Sequence, residues 1–200
     1  MLSAAEKTQD LRVRRTRLLL RNAFMELMTE KDFQSITVQD IADRAMVNRT
    51  TFYDHFVDKY ALLEYAISEQ FKQTLHSTVP EDYKFGPENL RLLILTTCEF
   101  LSQLRHHCLP KDRQILPLVQ TQITTLITEI LITWINDAQP RESLNMPPSP
   151  LTATITSWAI YGVGLYWSQA SGQESLTEFV SQALPTIMAS LDEAIGVGMP

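Results

Sequence analysis

Arg49, Thr50, Thr51, Tyr53, His55 and Lys59 fall within one short stretch, VNRTTFYDHFVDKY, residues 47–60. Guanidinium, hydroxyl, phenol, imidazole and ammonium groups at this density seek phosphates and base edges. Two aromatics, Phe52 and Phe56, interleave with them at a spacing of four. On a helix those two share one face, while Arg49, Thr50 and Tyr53 share the opposite one. The apolar pair would anchor such a helix to its own domain and leave the polar face, with Thr51, free to enter a DNA major groove. His55 and Lys59 come where the end of the helix would meet phosphates.

A reading face of this kind works only if neighbouring elements hold it out. Asn48 is a good N-cap for the short helix that carries it. Before it, Thr37 begins another short helix, with Asp40 at the third helical position as in a capping box. Val38, Ile41, Ala42 and Ala45 form its buried side, and Met46 and Val47 make a tight turn between the two helices. Upstream, Leu11, Leu18, Leu19, Ala23, Phe24, Leu27 and Met28 predict a helix over about 10–30, followed by a connector at 31–36. Downstream, Asp58 caps a helix whose stripe is Leu62, Leu63, Ala66, Ile67, Phe71 and Leu75. Short helix, turn, short helix is the helix-turn-helix unit.

The remaining residues predict further helices over 90–104, 115–136, 151–169 and 176–191, separated by Pro-rich loops at 79–89 and 138–150. Pro185 should bend the last of these. The run 151–167 is almost uniformly apolar, but Thr152, Thr154, Thr156 and Ser157 interrupt it and no basic residue flanks it. A membrane span needs roughly 20 apolar residues, so a helix buried on more than one face fits better. Gly162 and Gly164 sit inside it, where each costs about 1 kcal/mol against alanine. Close approach to a partner helix in a dimeric four-helix interface would justify them, with the stripe of 176–191 as the other half.

Net charge is −6, which taken whole argues against a nucleic-acid partner. The distribution reverses that. Residues 1–60 hold ten Lys/Arg and nine Asp/Glu, and residues 61–200 hold seven and fourteen. Between Lys7 and Arg21 there are six basic residues and one acid, Asp10. Phosphate contacts follow the local potential rather than the total.

Two cysteines, Cys98 and Cys108, are too few for a disulfide framework and fit a reducing compartment. The N-terminus lacks an apolar leader, so a cytoplasmic protein is expected. His106, His107 and Cys108, with Cys98, offer metal-type ligands, but adjacent histidines on one helix point apart and no second cluster joins them; no metal or other cofactor is expected. There is no nucleophile–base–orienter set and no glycine-rich phosphate loop, which argues against an enzyme.

The stretch TVQDIADRAMVNRTTFYDHFVDKYALLEYAI, residues 37–67, resembles the TetR family of transcriptional regulators. Thr37, Ile41, Ala42, Ala45, Val47, Phe52, Tyr53, His55, Phe56, Lys59 and Leu62 carry the resemblance. Met46 stands where the family usually has a turn glycine, Asn48 where it has Ser or Thr, and Asp32 near a frequent glycine. The resemblance implies an all-α fold. A three-helix DNA-binding head (1–57) would join a linking helix (58–78) and a larger ligand-binding and dimerisation domain (79–200). It implies a homodimer on a pseudo-palindromic operator, acting as a repressor released by a small molecule, with no membrane partner. Arg49, Thr50, Tyr53 and Gln39 are then expected at bases. Thr37, Thr51, His55, Lys59, Arg14, Arg15 and Arg17 are expected at phosphates, with Asn48 among the DNA-facing set. Phe100, Gln103, Thr124, Thr128, Trp134 and Tyr161 are candidate pocket residues. Trp158, Gly162, Leu165, Leu176, Phe179, Val180, Ala183, Ile187 and Leu191 are candidates for the dimer interface. The competing reading is a helix-turn-helix protein that acts through protein partners without tight DNA binding, favoured by Met46 and the weak charge of the head.

Overall fold

The structure, a computed structural model, describes residues 4–78, 84–107, 113–138, 150–170 and 175–195. All regular structure among them is helical. The elements are α1 (Ala4–Glu30), a 3-10 turn (Phe33–Ser35), α2 (Val38–Arg44), α3 (Arg49–Tyr53) and α4 (Lys59–Thr78). They continue with α5 (Pro87–His107), a second 3-10 turn (Arg113–Ile115), α6 (Leu116–Ala138), α7 (Pro150–Gln169) and α8 (Leu176–Ile195). The helices follow the expected register, with α1 and α5 longer at both or one end than the apolar spacing alone defines. The chain divides into two compact units, Met1–Ile67 with His107–Leu116, and Ser68–His106 with Pro117–Pro200. The division falls inside α4 rather than at its start.

In the first unit, Leu20, Phe24, Leu27, Phe33, Ile36, Ile41, Phe52 and Leu62 make the core. Phe33 sits edge-on to Phe24 and Tyr60, at 6.1 and 5.0 Å between centroids. Arg44, the last residue of α2, ties that helix to α1 by donating to both Glu30 carboxylate oxygens at 2.9 and 2.7 Å and to Glu26 at 3.4 Å. These hydrogen bonds lower the Glu30 carboxyl below its ordinary value and raise Arg44.

In the second unit, α5 and α6 are the buried helices. Leu90, Leu93, Ile94, Cys98, Ile123, Ile127, Leu131 and Trp134 are all closed to solvent. Phe100 lies edge-on to Phe71 at 5.3 Å. Among the described residues, the helix long and apolar enough to cross a bilayer by length and composition is α6, Leu116–Asp137, rather than the α7 run weighed from sequence. Its Val119, Ile123, Ile127 and Leu131 are buried within the unit, as a core helix requires.

The two glycines of α7 differ from expectation. A Cβ on Gly164 would lie 3.0 Å from Leu101 Cδ1 and 3.1 Å from Thr97 Cγ2, so this glycine lets α5 of the same chain approach α7. Gly162 faces open space instead. Residues two apart on a helix point about 200° away from each other, so both could not serve one partner. Pro185 is accommodated within α8, which runs unbroken across it.

Candidate nucleic-acid interface

Local capping builds the site. Thr37 Oγ1 accepts the Asp40 backbone N–H at 3.1 Å, and Asp40 Oδ2 accepts the Thr37 N–H at 2.8 Å and its hydroxyl at 2.7 Å. This is the anticipated capping box. The Thr37 hydrogen bonds, helped by Lys31 at 3.1 Å, hold the Asp40 carboxyl down to about 2. At the other end of α2, the Val47 N–H donates to Ala42 O and the Met46 N–H to Asp43 O. That pair of bonds is a Schellman termination, which places its C′ residue in the left-handed region. Met46 occupies that place with φ 54° and its side chain 90% exposed. Asn48 Oδ1 then accepts the Thr50 N–H at 3.0 Å and starts α3.

On α3, Phe52 points into the core, 5.9 Å from the Phe56 ring and 5.5 Å from Tyr53. Arg49, Thr50 and Tyr53 are exposed on the other side, and Thr51 and His55 are half-buried at its edge. Arg49 Nη2 donates to the Tyr53 phenol at 3.2 Å, with its guanidinium carbon 5.6 Å from the ring centroid. The two residues expected to meet bases therefore hold each other in one arrangement. Gln39, also exposed, donates to Asp43 Oδ1 at 2.7 Å.

The candidate phosphate contacts separate into outward and inward groups. Arg14 and Arg15 are exposed on α1, as is Arg12. Lys59 turns inward. Its ammonium donates to the carbonyls of Phe33 at 2.8 Å, Gln34 at 3.1 Å and Ile36 at 2.8 Å, and lies 4.6 Å above the Phe33 ring. With three donors on three carbonyls, Lys59 fastens the start of α4 to the connector and does not present itself to phosphate. Arg17 also turns inward, over the rings of Phe56 and Tyr65. Thr37 is committed to its capping box. Arg44, overlooked in sequence, is what fixes α2; its acidic partners lie 14 and 18 residues upstream, beyond any local pattern.

None of the candidate pocket residues borders a cavity found among the described residues. Phe100, Thr124, Trp134 and Tyr161 are buried, Thr128 is half-buried and Gln103 is exposed. Trp134 packs edge-on to Phe85, and Thr128 donates to Ser157 Oγ at 2.8 Å. Burial pushes the Tyr161 phenol up and the Cys98 thiol up to about 12, so Cys98 offers no thiolate. His106, His107 and Cys108 have side chains outside the described residues. The cavity, about 500 Å3, is a groove between α7 and α8 bounded by Ala159, Gly162, Val163, Tyr166, Phe179, Gln182 and Ala183.

The same two helices correct the expected dimer seam. Val180, Ile187 and Leu191 are buried within the chain itself and are not available to a partner. Leu165, Leu176, Phe179 and Ala183 are half-buried, and Trp158 and Gly162 are exposed. Sequence reading missed the exposed Leu151, Ile155 and Tyr166. With Trp158 and Gly162 they recur at steps of four, three, four and four along α7, a signal present in the sequence. Tyr166 stacks on Phe179 at 5.9 Å and 11°.

Residues 20–66 match the family described as bacterial regulatory proteins, tetR family. An uncharacterized HTH-type transcriptional regulator of Bacillus subtilis (strain 168), YxbF, is 36% identical over 95 residues, 45% of this chain and 25% of that protein. The HTH-type dhaKLM operon transcriptional activator DhaS of Lactococcus lactis is 31% identical over 80 residues, 40% of this chain and 41% of that protein. The matched stretches thus span between a quarter and about two fifths of these relatives. A solved structure titled as the dihydroxyacetone kinase operon activator DhaS superposes with TM-score 0.54 at 21% identity, covering 90% of this chain and 97% of the other. At that identity the likeness concerns the fold.

Proposed function

We propose that this chain, whose residues 20–66 match the family described as bacterial regulatory proteins, tetR family, is a homodimeric, cytoplasmic DNA-binding regulator. In this reading it occupies a pseudo-palindromic operator, represses, and is released by a small molecule bound in the second unit. The observation that carries the reading is α3. Its back is fixed by Phe52, its start by Asn48, and its front exposes Arg49, Thr50 and Tyr53. A short, locked helix with a bare polar face is what a major groove admits. No catalytic group is needed.

Support for the dimer is the apolar stripe of α7, with Leu151, Ile155, Trp158 and Tyr166 exposed beside the groove. Exposed apolar surface of this continuity marks an interaction site. A second copy supplies the same stripe, and the small Ala159, Gly162 and Ala183 permit close approach. Two heads on one duplex must then stand roughly 34–36 Å apart, or a multiple of that.

Activation is a second reading of the same binding, because a relative at 31% identity is named a transcriptional activator. The test is selection of binding sites from a random DNA library by the purified full chain, then titration on the winning site and a reporter behind it. A pseudo-palindrome is expected. Arg49→Ala and Tyr53→Ala should each cost about 1–3 kcal/mol or relax specificity. With Arg12, Arg14, Arg15 and Arg49 outward on each of two heads, log Kd should change with log salt by no more than about 7. No enrichment at low salt would overturn the regulator reading and favour action through protein partners. The reporter separates repression from activation.

A further inference from the structure

Arg17, expected at phosphate, is drawn over aromatic rings. Its guanidinium carbon lies 5.6 Å from the ring centroid of Phe56 and 5.6 Å from that of Tyr65. Its Nε is closed to solvent and has no hydrogen-bond partner. An arginine that grips phosphate points its N–H fork at the oxygens; this one holds its guanidinium carbon over two aromatic rings.

The rings it covers belong to a longer line. Phe56 and Tyr65 are 5.4 Å apart, Phe56 and Phe52 5.9 Å, and Phe52 and Tyr53 5.5 Å. Tyr53 in turn carries the Arg49 guanidinium. One unbroken series of contacts therefore runs from Tyr65 on α4, through the core of the first unit, to the two residues read as base contacts. An arginine closes it at each end.

We propose that Arg17 is a positioning residue for the reading face: by covering Phe56 and Tyr65 together it fixes α3 against α4, and so sets where Arg49 and Tyr53 point. Tyr65 lies two residues before Ile67, where the first unit's main segment ends within α4. A displacement of α4 reaches this clamp before it reaches any DNA-facing side chain. The interior side of α1 thus belongs to the reading device, although it touches no nucleic acid. The proposal rests on the DNA-binding reading above, and spatial continuity becomes coupling only when a double-mutant cycle measures it.

The experiment uses the full chain and the selected operator. Arg17→Lys, Arg17→Leu, Tyr65→Leu and the double variant Arg17→Leu/Tyr65→Leu are titrated at several salt concentrations. Amide hydrogen exchange of residues 49–56 is followed in each without DNA. Each single change should weaken operator binding about three- to tenfold, between the values of an exposed and a fully desolvated cation–aromatic contact. The double variant should be no weaker than about twofold beyond the worse single one. The salt slope should stay that of the wild type, and exchange over 49–56 should quicken. Arg17→Lys should behave like Arg17→Leu, because a compact ammonium lacks the planar face. Should Arg17→Leu fail to fold, Arg17→Lys and Tyr65→Leu give the same readouts.

A salt slope shallower by about two in Arg17→Leu, one phosphate lost per head, with Arg17→Lys close to wild type and Tyr65→Leu silent, makes Arg17 a phosphate contact and overturns the proposal. Unchanged exchange over 49–56 overturns it as well. That readout needs no DNA, so a wild type that binds no operator sinks the regulator reading alone while exchange still decides the role of Arg17.

Discussion

Replacing Met46 by glycine isolates the strain in the turn of the helix-turn-helix. Met46 has φ 54°, where a Cβ meets the following carbonyl, at a cost of about 1–2 kcal/mol for an L-residue. Its side chain is 90% exposed, so removing it sacrifices almost no packing. Glycine relieves the strain but adds freedom to the unfolded chain, which costs about 0.4–1 kcal/mol. The difference leaves Met46→Gly about 0.5–1 kcal/mol more stable. Met46→Ala keeps the Cβ and should be neutral within about 0.5 kcal/mol. Urea unfolding of the three proteins, followed by helical circular dichroism with the slope checked for constancy, measures both numbers. A Met46→Gly protein that is less stable than wild type, or an alanine variant that gains as much as glycine, would refute the strain argument. Either would mean that the methionine side chain, not its backbone, decides the turn. Operator affinity at matched folded fraction should be unchanged in Met46→Gly, since the Schellman bonds from Met46 and Val47 are main-chain.

Lys59→Ala should cost about 1.5–3 kcal/mol of stability, the value of charge-assisted hydrogen bonds to the three connector carbonyls, and leave the salt slope of DNA binding unchanged; thermal melts and a salt titration check this together. Gly164→Ala should destabilise by about 0.5–2 kcal/mol, because overpacking against Leu101 and Thr97 exceeds the helix-propensity gain, whereas Gly162→Ala should stabilise the isolated chain by up to about 1 kcal/mol. Denaturant midpoints of the pair decide it. Asp40, held down to about 2 against an ordinary 3.8, contributes stability that is complete above about pH 4 and is lost as pH falls toward 2. The capping box is worth about 1 kcal/mol, so Thr37→Ala should remove that much at pH 7 and flatten the acid limb of a stability-versus-pH curve.

What was legible in the sequence was local. The Thr37 and Asp40 box, the Asn48 cap and the bonds from the Tyr60 and Ala61 N–H groups to Asp58 Oδ1 at 2.9 and 2.8 Å join residues two or three apart. The opposition of Phe52 to Arg49, Thr50 and Tyr53 follows from the helical period alone. What was not legible required knowing which surface meets which. Lys59 finds its carbonyls 23 to 26 residues upstream. The stripe of Val180, Ile187 and Leu191 is equally apolar whether it meets a second copy or its own core, and the core takes it. Gly162 and Gly164 carry the same signal in sequence, and only the position of α5 separates them.

The partition of cations bears on how the head would discriminate. Lys31 pairs with Asp40 and Arg44 with Glu26 and Glu30. Lys59 holds carbonyls and Arg17 holds rings. Apart from Arg44, the exposed guanidiniums described in the first unit are then Arg12, Arg14 and Arg15 on α1, with Arg49 on α3. A basic surface raises affinity for every DNA sequence alike through counterion release, whereas base contacts separate one sequence from another. A head that devotes so many cations to its own architecture gains less from the first term. On the proposed reading the Arg49–Tyr53 pair would supply a larger share of operator affinity, and its geometry would have to be held with corresponding care. That requirement would give the aromatic contacts running behind Tyr53 as far as α4 a purpose, and it makes the acidic net charge of the whole chain compatible with the proposed DNA-reading head.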